Sequence, residues 1–162
     1  MELKIVDRER FQIVGVKREF SGLNGENLTG IPKMWEKVLT DGTGRALIQL
    51  NNGEIHGLMG VCVDHHDKQP LLMDYWIAVE TDANGSGEFM KLDIPASQWG
   101  VFEVHGPIPE AIQQAWERIY SDWFPSSQYE PAGTPSLEVY SDGDTSSSKY
   151  YSEIWIPLIE KA

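Results

Sequence analysis

The chain has 162 residues, 41% of them hydrophobic and 23% charged, a composition typical of one globular domain or of two small modules that share a core. Its formal net charge of −12 argues against a nucleic-acid-binding surface, because phosphates are neutralised by clustered Lys and Arg and the chain has 13 basic against 25 acidic residues. With no apolar run near the roughly 18 residues of a spanning helix, no signal-peptide pattern and a single cysteine, Cys62, we expect a cytoplasmic protein without disulfides or membrane contact.

The first half of the sequence predicts the order strand, helix, strand, strand. Residues 11–20 are rich in β-branched and aromatic side chains and stop at Ser21-Gly22, which indicates a strand. A helix is predicted from Pro32 to about Leu39, with proline in its first turn, and residues 41–44 end it. Residues 56–63 and 71–79 predict a hairpin, and no element is assigned to the segment before it.

The same order recurs after the turn-rich residues 82–87. A strand is predicted at residues 99–105 and the clearest helix of the chain at residues 109–123. Strands at residues 137–140 and 150–158 follow, joined by a loop of turn-forming residues. The apolar side chains of the helix recur at helical spacing and are Ile112, Ala115, Trp116, Ile119, Tyr120 and Trp123.

The two halves also match in sequence. Residues 74–79 lie on residues 153–158 at a constant offset, which makes Asp74 equivalent to Glu153. Two units that are each too small to bury a sheet face pack together, and the seam between them is a natural ligand cleft. We therefore predict an α+β fold in one domain, residues 1–162. Its two pseudo-symmetric β-α-β-β modules, about 1–82 and about 88–162, place antiparallel sheets around a central cleft.

The last predicted strand carries the leading site candidate, Glu153. Ile154, Ile156 and Leu158 fall on one face of this strand, whereas Glu153 and Trp155 fall on the other. A carboxylate beside a large aromatic side chain suits a flat, apolar and positively charged ligand. An exposed glutamate on a half-solvated sheet gives the same pattern.

Other aromatic and acidic residues are weaker candidates for the same cleft. Asp74 and Trp76 share a strand face, as Glu153 and Trp155 do. Tyr140 turns with Glu138 away from the core-facing Leu137 and Val139. Trp35, on the apolar stripe of the first helix, fits the core or the cleft equally well. Trp123, on the stripe of the second, fits the core better, but it lies near the helix end and can reach the cleft rim.

Motifs for metal binding and catalysis are weak. His65-His66 stands between Asp64 and Asp67, but adjacent residues of an extended segment point apart, and no second ligand group follows at metal spacing. The sequence has no phosphate-binding loop and no nucleophile elbow. We predict no metal, no cofactor and no assigned catalytic residue.

The β-α-β-β order taken twice resembles the gyrase-inhibitor-like (GyrI-like) family, the effector-binding domains found behind AraC-type and MerR-type DNA-binding regions and also as free-standing proteins. No single motif carries the resemblance, which covers nearly the whole chain and is strongest from about residue 93 to residue 157. The matching segments are Ile94-Pro95-Ala96, residues 98–102, 116–123 and 135–140, and the closing residues 152–157.

The resemblance implies a twin-module fold with a central cleft for small molecules, often lipophilic cations. It implies a cleft glutamate on the last strand, which Glu153 matches, and aromatic pocket residues at Tyr140 and Trp35. The chain shows no helix-turn-helix segment, so we expect it not to bind DNA itself but to sequester a ligand or pass it to a partner protein.

Three functions follow as hypotheses. The first is a binding module for hydrophobic cations, which the sequence favours. The second is a small-molecule hydrolase, in which Glu153 and Tyr140 would activate water or donate a proton. The third is an acidic protein that inhibits a DNA-handling enzyme. The same glutamate serves binding and catalysis, so residue identity leaves the first two open.

Overall fold

The computed structural model describes residues 2–21, 26–65, 72–82 and 87–162, which form one nine-stranded antiparallel sheet with helices packed on it. This architecture confirms the α+β class. Within those ranges no helix is both long enough and apolar enough to span a membrane. In chain order the elements are β1 (Leu3–Arg8), β2 (Phe11–Ser21), α1 (Glu26–Thr40), α2 (Thr43–Leu50), β3 (Met59–His65), β4 (Leu72–Glu80), β5 (Met90–Ile94), β6 (Ser97–His105), α3 (Glu110–Arg118), a π-helical turn (Ile119–Trp123), α4 (Phe124–Ser126), β7 (Tyr129–Pro131), β8 (Ser136–Tyr140) and β9 (Tyr151–Glu160).

The two halves of the sheet join where β3 pairs with β8. The strand order is β1-β6-β9-β8-β3-β4-β2-β5, with β7 paired to the end of β9. Val61 of β3 lies opposite Leu137 of β8, and their outer neighbours in the sheet are Trp76 and Trp155. The two tryptophans are therefore symmetric about this seam, and the sequence repeat has a structural counterpart.

Each half of the chain gives an edge strand to the other half. β1 belongs to the first half of the chain but pairs with β6 of the second, and β5 belongs to the second half but pairs with β2 of the first. Neither strand was predicted from the sequence. Both are short and mix charged with apolar residues, as edge strands commonly do, so they lack the apolar runs that mark the central strands.

All helices pack on one side of the sheet, here called the helix face. Helices α1 and α2 cover β2, β3 and β4, and α3 covers β6 and β9. The other side, here called the opposite face, carries its own apolar cluster with side chains from both halves. The rings of Phe11 (β2) and Trp99 (β6) are 6.2 Å apart on this side, although four strands separate β2 from β6. The sheet is therefore strongly curved around the opposite-face cluster.

The first helical region differs from the prediction. Helix α1 begins at Glu26, so Pro32 lies inside it and not in its first turn. Glu26 suits a helix start because its charge opposes the positive end of the helix dipole, and it also accepts a hydrogen bond from the Ser21 amide at 3.3 Å. The predicted break is real, since Gly42, with φ of 90°, turns the chain from α1 into α2. Helix α2 occupies part of the segment that the sequence left unassigned.

The other predicted elements agree to within about three residues at each end. The predicted helix at residues 109–123 changes to π-helical geometry after Arg118. Gly22, Leu71 and residues 83–86 of the predicted join lie outside the described residues.

A buried ion pair closes the curved sheet. The Arg8 guanidinium, at the end of β1, donates to both carboxylate oxygens of Glu80, at the end of β4, at 3.0 and 2.8 Å. Their side chains are only 12% and 9% exposed, and Glu80 also accepts the Ile55 amide at 3.1 Å. This pair ties the edge strand β1 to a strand five positions away across the sheet.

We expect Arg8→Ala to lower the free energy of unfolding by about 3–5 kcal/mol, because it leaves the Glu80 carboxylate buried without its cation. The matched control is Arg10→Ala, which breaks the pair of Arg10 with Asp93, whose side chains are 63% and 66% exposed. That change should cost less than about 1 kcal/mol. Urea unfolding followed by tryptophan fluorescence measures both, and equal losses would contradict the closing role of Arg8.

Candidate functional site

The helix face carries a buried carboxylate at the seam between the two halves. Glu138 of β8 is 8% exposed and lies opposite Gly60 of β3. Its neighbours Leu137 and Val139 belong to the opposite-face cluster, so strand alternation turns Glu138 toward the helices. The most buried acid of the seam is thus on β8 and not on the last strand.

Four neutral aromatic side chains surround this carboxylate. Tyr75 and Tyr140 donate their hydroxyl protons to Oε1 of Glu138 at 2.8 and 3.1 Å, and the Trp116 indole N–H donates to Oε2 at 2.8 Å. The Trp35 indole donates to the Tyr75 hydroxyl at 2.9 Å. These five residues are called the Glu138 cluster below. Side chains of α1, β4, α3 and β8 thus meet at one acid.

Gly60 makes room for the cluster. A Cβ atom at this position would lie 2.1 Å from the Tyr75 hydroxyl oxygen and 2.8 Å from Oε1 of Glu138. Both separations are far below a van der Waals contact, so any larger residue would push the phenol off the carboxylate. The close approach therefore requires glycine.

Further rings connect the cluster to the surface. Trp35 packs edge-on against Tyr140, with ring centroids 5.2 Å apart. Trp116 stacks on Tyr120 at 6.2 Å, and Tyr120 is half exposed. An aromatic surface thus runs from solvent to the carboxylate, an arrangement that favours planar, apolar and cationic groups.

The two cluster phenols are held in their protonated form. Burial, reinforced by the nearby Glu138 charge, raises the pKa of Tyr75 and of Tyr140 well above the ordinary tyrosine value. Both side chains are therefore hydrogen-bond donors to Glu138 at all physiological pH values.

The residue predicted to hold the site, Glu153, lies on the opposite face. It is half-buried and accepts hydrogen bonds from the Tyr151 hydroxyl at 2.5 Å and from the Trp155 indole at 3.0 Å. Burial and this carboxylate raise the pKa of Tyr151. Glu153 also lines a cavity of about 240 Å³, whose other lining residues are Arg8, Glu54, Ile55, His56, Val139 and Trp155. The acid therefore does sit among rings, at the second-half side of the seam.

The remaining predicted residues do not gather around Glu153. Tyr140 and Trp35 belong to the Glu138 cluster on the helix face. Trp123 packs against Phe102 at 4.9 Å and stacks on Tyr129 at 6.0 Å, inside the second-half core.

Asp74 and Trp76 share the opposite face with Glu153 but lie in the other half of the sheet. Trp76 is 4% exposed and belongs to the apolar cluster there. Asp74 lies 3.0 Å from Nε2 of His65 and 3.6 Å from Nζ of Lys17. Strand alternation therefore places Tyr140 on the helix face and the other four predicted strand residues on the opposite face.

Sequence reasoning missed Glu138 although the signal was present. The alternation that turns Tyr140 away from Leu137 applies equally to Glu138. The alternation does not predict which face of the sheet the helices cover, because both faces of the central strands are apolar. Trp116, on the apolar stripe predicted for the second helix, packs against the second-half core with its N–H turned to Glu138.

Comparison with protein-family models identifies the family of this chain. The GyrI-like small molecule binding domain matches residues 1–159, almost the entire chain. The chain is a member of the GyrI-like family. The resemblance read from the residues is confirmed.

Solved structures support the assignment of this GyrI-like domain. SAV2435, in a structure bound to tetraphenylphosphonium, is 29% identical over 98% of this chain and 94% of its own, with a TM-score of 0.88. A protein of Staphylococcus aureus MU50 is also 29% identical over 98% of both chains, with a TM-score of 0.82. The C-terminal domain of EcmrR shares the fold at 14% identity and a TM-score of 0.61, over 99% of this chain and 98% of its own. Curated protein sequences give no match.

The pKa of Tyr75 predicts how this GyrI-like domain responds to alkali. The folded protein holds the phenol proton more tightly than the unfolded chain, whose tyrosines titrate near pH 10. The stabilisation is thus complete below about pH 10 and is lost as the pH rises above it. When the pH is raised from about 9 to about 11.5, the free energy of unfolding should fall in the unchanged protein. We expect it to fall by less in Tyr75→Phe, which lacks the phenol proton. Urea unfolding at both pH values measures the difference, and identical losses would contradict the assignment.

Proposed function

We propose that this GyrI-like domain binds lipophilic organic cations on its helix face, with Glu138 as the counter-charge. The observation that carries the proposal is a carboxylate 8% exposed whose hydrogen-bond donors are all neutral. Among the described residues, no lysine, arginine or histidine forms an ion pair with it. A buried carboxylate without a cation is costly, and a cationic ligand would supply the missing charge.

The rings of the cluster would bind the apolar body of such a ligand. A contact between a cation and an aromatic face contributes about 0.5–2 kcal/mol. A few such contacts around one carboxylate give dissociation constants of about micromolar size. Binding requires the Trp116 indole to leave Oε2 of Glu138, and its stacking partner Tyr120 is half exposed.

The relative SAV2435 supports this ligand class, because that protein, 29% identical to this one, has been solved with tetraphenylphosphonium. Tetraphenylphosphonium has one positive charge and four phenyl rings, which match a single buried acid among aromatic side chains. We extend the ligand class, and not the particular compound, to this domain.

Glu153 is the alternative counter-charge, and its surroundings can be compared with those of Glu138. Its cavity of about 240 Å³ also contains the cationic Arg8 and the acid Glu54. A guanidinium in the lining would oppose a cationic ligand. The environment of Glu138 therefore fits a lipophilic cation better.

The hydrolase hypothesis, as formed from the sequence, needs Glu153 and Tyr140 to act together. Val139 lies opposite Glu153 in the sheet, so Tyr140 points to the other face, and the two side chains cannot share a substrate. We therefore propose binding, in the cytoplasm and without direct contact to nucleic acid, with a partner protein as the recipient of the signal or the ligand.

Titration with tetraphenylphosphonium, followed by the fluorescence of the six tryptophans, tests the proposal. We expect a saturable change in the unchanged protein and at least about tenfold weaker binding in Glu138→Gln, which keeps the shape of the side chain but removes its charge. Glu153→Gln and the helix-surface change Glu36→Gln are the matched controls and should bind within about twofold of the unchanged protein. Triphenylphosphine oxide, a neutral analogue, should bind weakly to all of them.

Two results would contradict the proposal. Loss of binding in Glu153→Gln alone would move the site to the opposite face. No saturable response to tetraphenylphosphonium, with all variants folded by circular dichroism, would exclude this ligand class.

A further inference from the structure

Three metal-ligating side chains meet on the opposite face of the first half. Glu19 of β2 lies directly across from Asp74 of β4, and His65, at the end of β3, is the diagonal neighbour of Asp74 on the other side. Their ligand atoms all lie within 4.8 Å of one another. Asp74 and His65 are half-buried and Glu19 is exposed, so the group is shielded below and open to solvent above.

The His65 ring lies beside the Asp74 carboxylate without an aligned hydrogen bond to it. Its Nε2 is 3.0 Å from Oδ2 of Asp74, yet this nitrogen, shielded from solvent, forms no aligned hydrogen bond with any of the described residues. Two ligand atoms that bind one tetrahedral ion at about 2.1 Å lie about 3.4 Å apart. The observed separation of 3.0 Å is within about half an ångström of that spacing.

We propose that Glu19, His65 and Asp74 form a binding site for a divalent transition-metal ion, of which Zn²⁺ is the best match. One imidazole and two carboxylates suit Zn²⁺ or Co²⁺ better than Ca²⁺ or Mg²⁺, which prefer oxygen ligands alone. Three protein ligands leave a coordination position for water or for a ligand group. The net charge of −12 raises the local concentration of cations around the whole protein.

Lys17 sets the affinity of this site. Its ammonium group is 3.6 Å from Oδ2 of Asp74 and 5.7 Å from the centre of the Trp76 ring. An ion bound by Asp74 must displace this ammonium, which competes for the same oxygen. Removal of Lys17 should therefore strengthen metal binding, whereas removal of any of the three ligands should weaken it.

The proposal revises the metal prediction made from the sequence. In the sequence, no second ligand group follows the histidine pair at metal spacing. The structure supplies the other ligands from β2 and β4, at separations of 46 residues (65 − 19) and 9 residues (74 − 65) that match no motif. His66 and Asp67 lie outside the described residues.

The site is independent of the Glu138 cluster. Asp74 and Tyr75 are consecutive in β4 and point to opposite faces, so the proposed metal and the proposed organic cation occupy different sides of one strand. Failure of either proposal leaves the other intact.

Titration of the metal-free protein with Co²⁺, followed by visible absorption, and displacement of Co²⁺ by Zn²⁺ test the site. We expect one equivalent to bind. His65→Gln and Asp74→Asn should weaken binding by about tenfold or more, since even outer-shell changes at metal sites reach that size. Lys17→Met should strengthen it by about two- to fivefold, as the loss of one weak competing ion pair allows.

The matched controls are Asp64→Asn and His56→Gln. Asp64 is the chain neighbour of His65 and points to the helix face. His56 lines the cavity beside Glu153. Both should bind Co²⁺ like the unchanged protein. Binding that survives His65→Gln and Asp74→Asn, or weakens in Lys17→Met, would overturn the proposal, as would the absence of a Co²⁺ spectrum from the unchanged protein. Circular dichroism confirms that each variant is folded.

Discussion

The pairing of β3 with β8 is the interaction on which the rest of this structure depends. It joins two half-sheets, neither of which could cover its own faces, into one curved sheet with a pseudo-twofold axis near Val61 and Leu137. The same register sets Glu138 opposite Gly60, and the absence of a side chain there lets the Tyr75 hydroxyl reach the carboxylate. A slip of one residue would turn Glu138 into the opposite-face apolar cluster. The fold and the candidate site thus rest on one set of backbone hydrogen bonds.

The curved sheet separates two kinds of chemistry. On the helix face, side chains from α1 and α3 pack at the seam, and a single acid is enclosed by phenols and indoles. On the opposite face, Asp74 and Glu153 stand in symmetric positions, and each has gained different neighbours. Asp74 lies beside Lys17 and His65, whereas Glu153 lies beside Tyr151 and Trp155. The two halves share a strand order, and the neighbours of the two acids differ in charge.

Closure of the sheet depends on strand exchange and on one ion pair. β1 and β5 cross to the other half, which makes the halves inseparable, and Arg8 of β1 reaches Glu80 of β4 across the curved face. The geometry is bidentate and mostly buried, which distinguishes it from the exposed pair of Arg10 with Asp93. Curvature at this face shelters the rings of Phe11, Trp76 and Trp99 without any covering helix.

The sequence by itself determined the α+β class, most central strands and the second helix, because these depend on periodicity and composition within short windows. It indicated the family through the order and spacing of segments along nearly the whole chain. It also indicated a carboxylate among aromatic rings, and such an environment exists around both Glu153 and Glu138. Only the tertiary structure decided that Glu138 is the more enclosed acid, since alternation shows that a side chain changes face and not which face the helices cover. The edge strands β1 and β5 and the group of Glu19, His65 and Asp74 were equally beyond local patterns. Their partners lie far away in the chain, and only the register of paired strands brings them together.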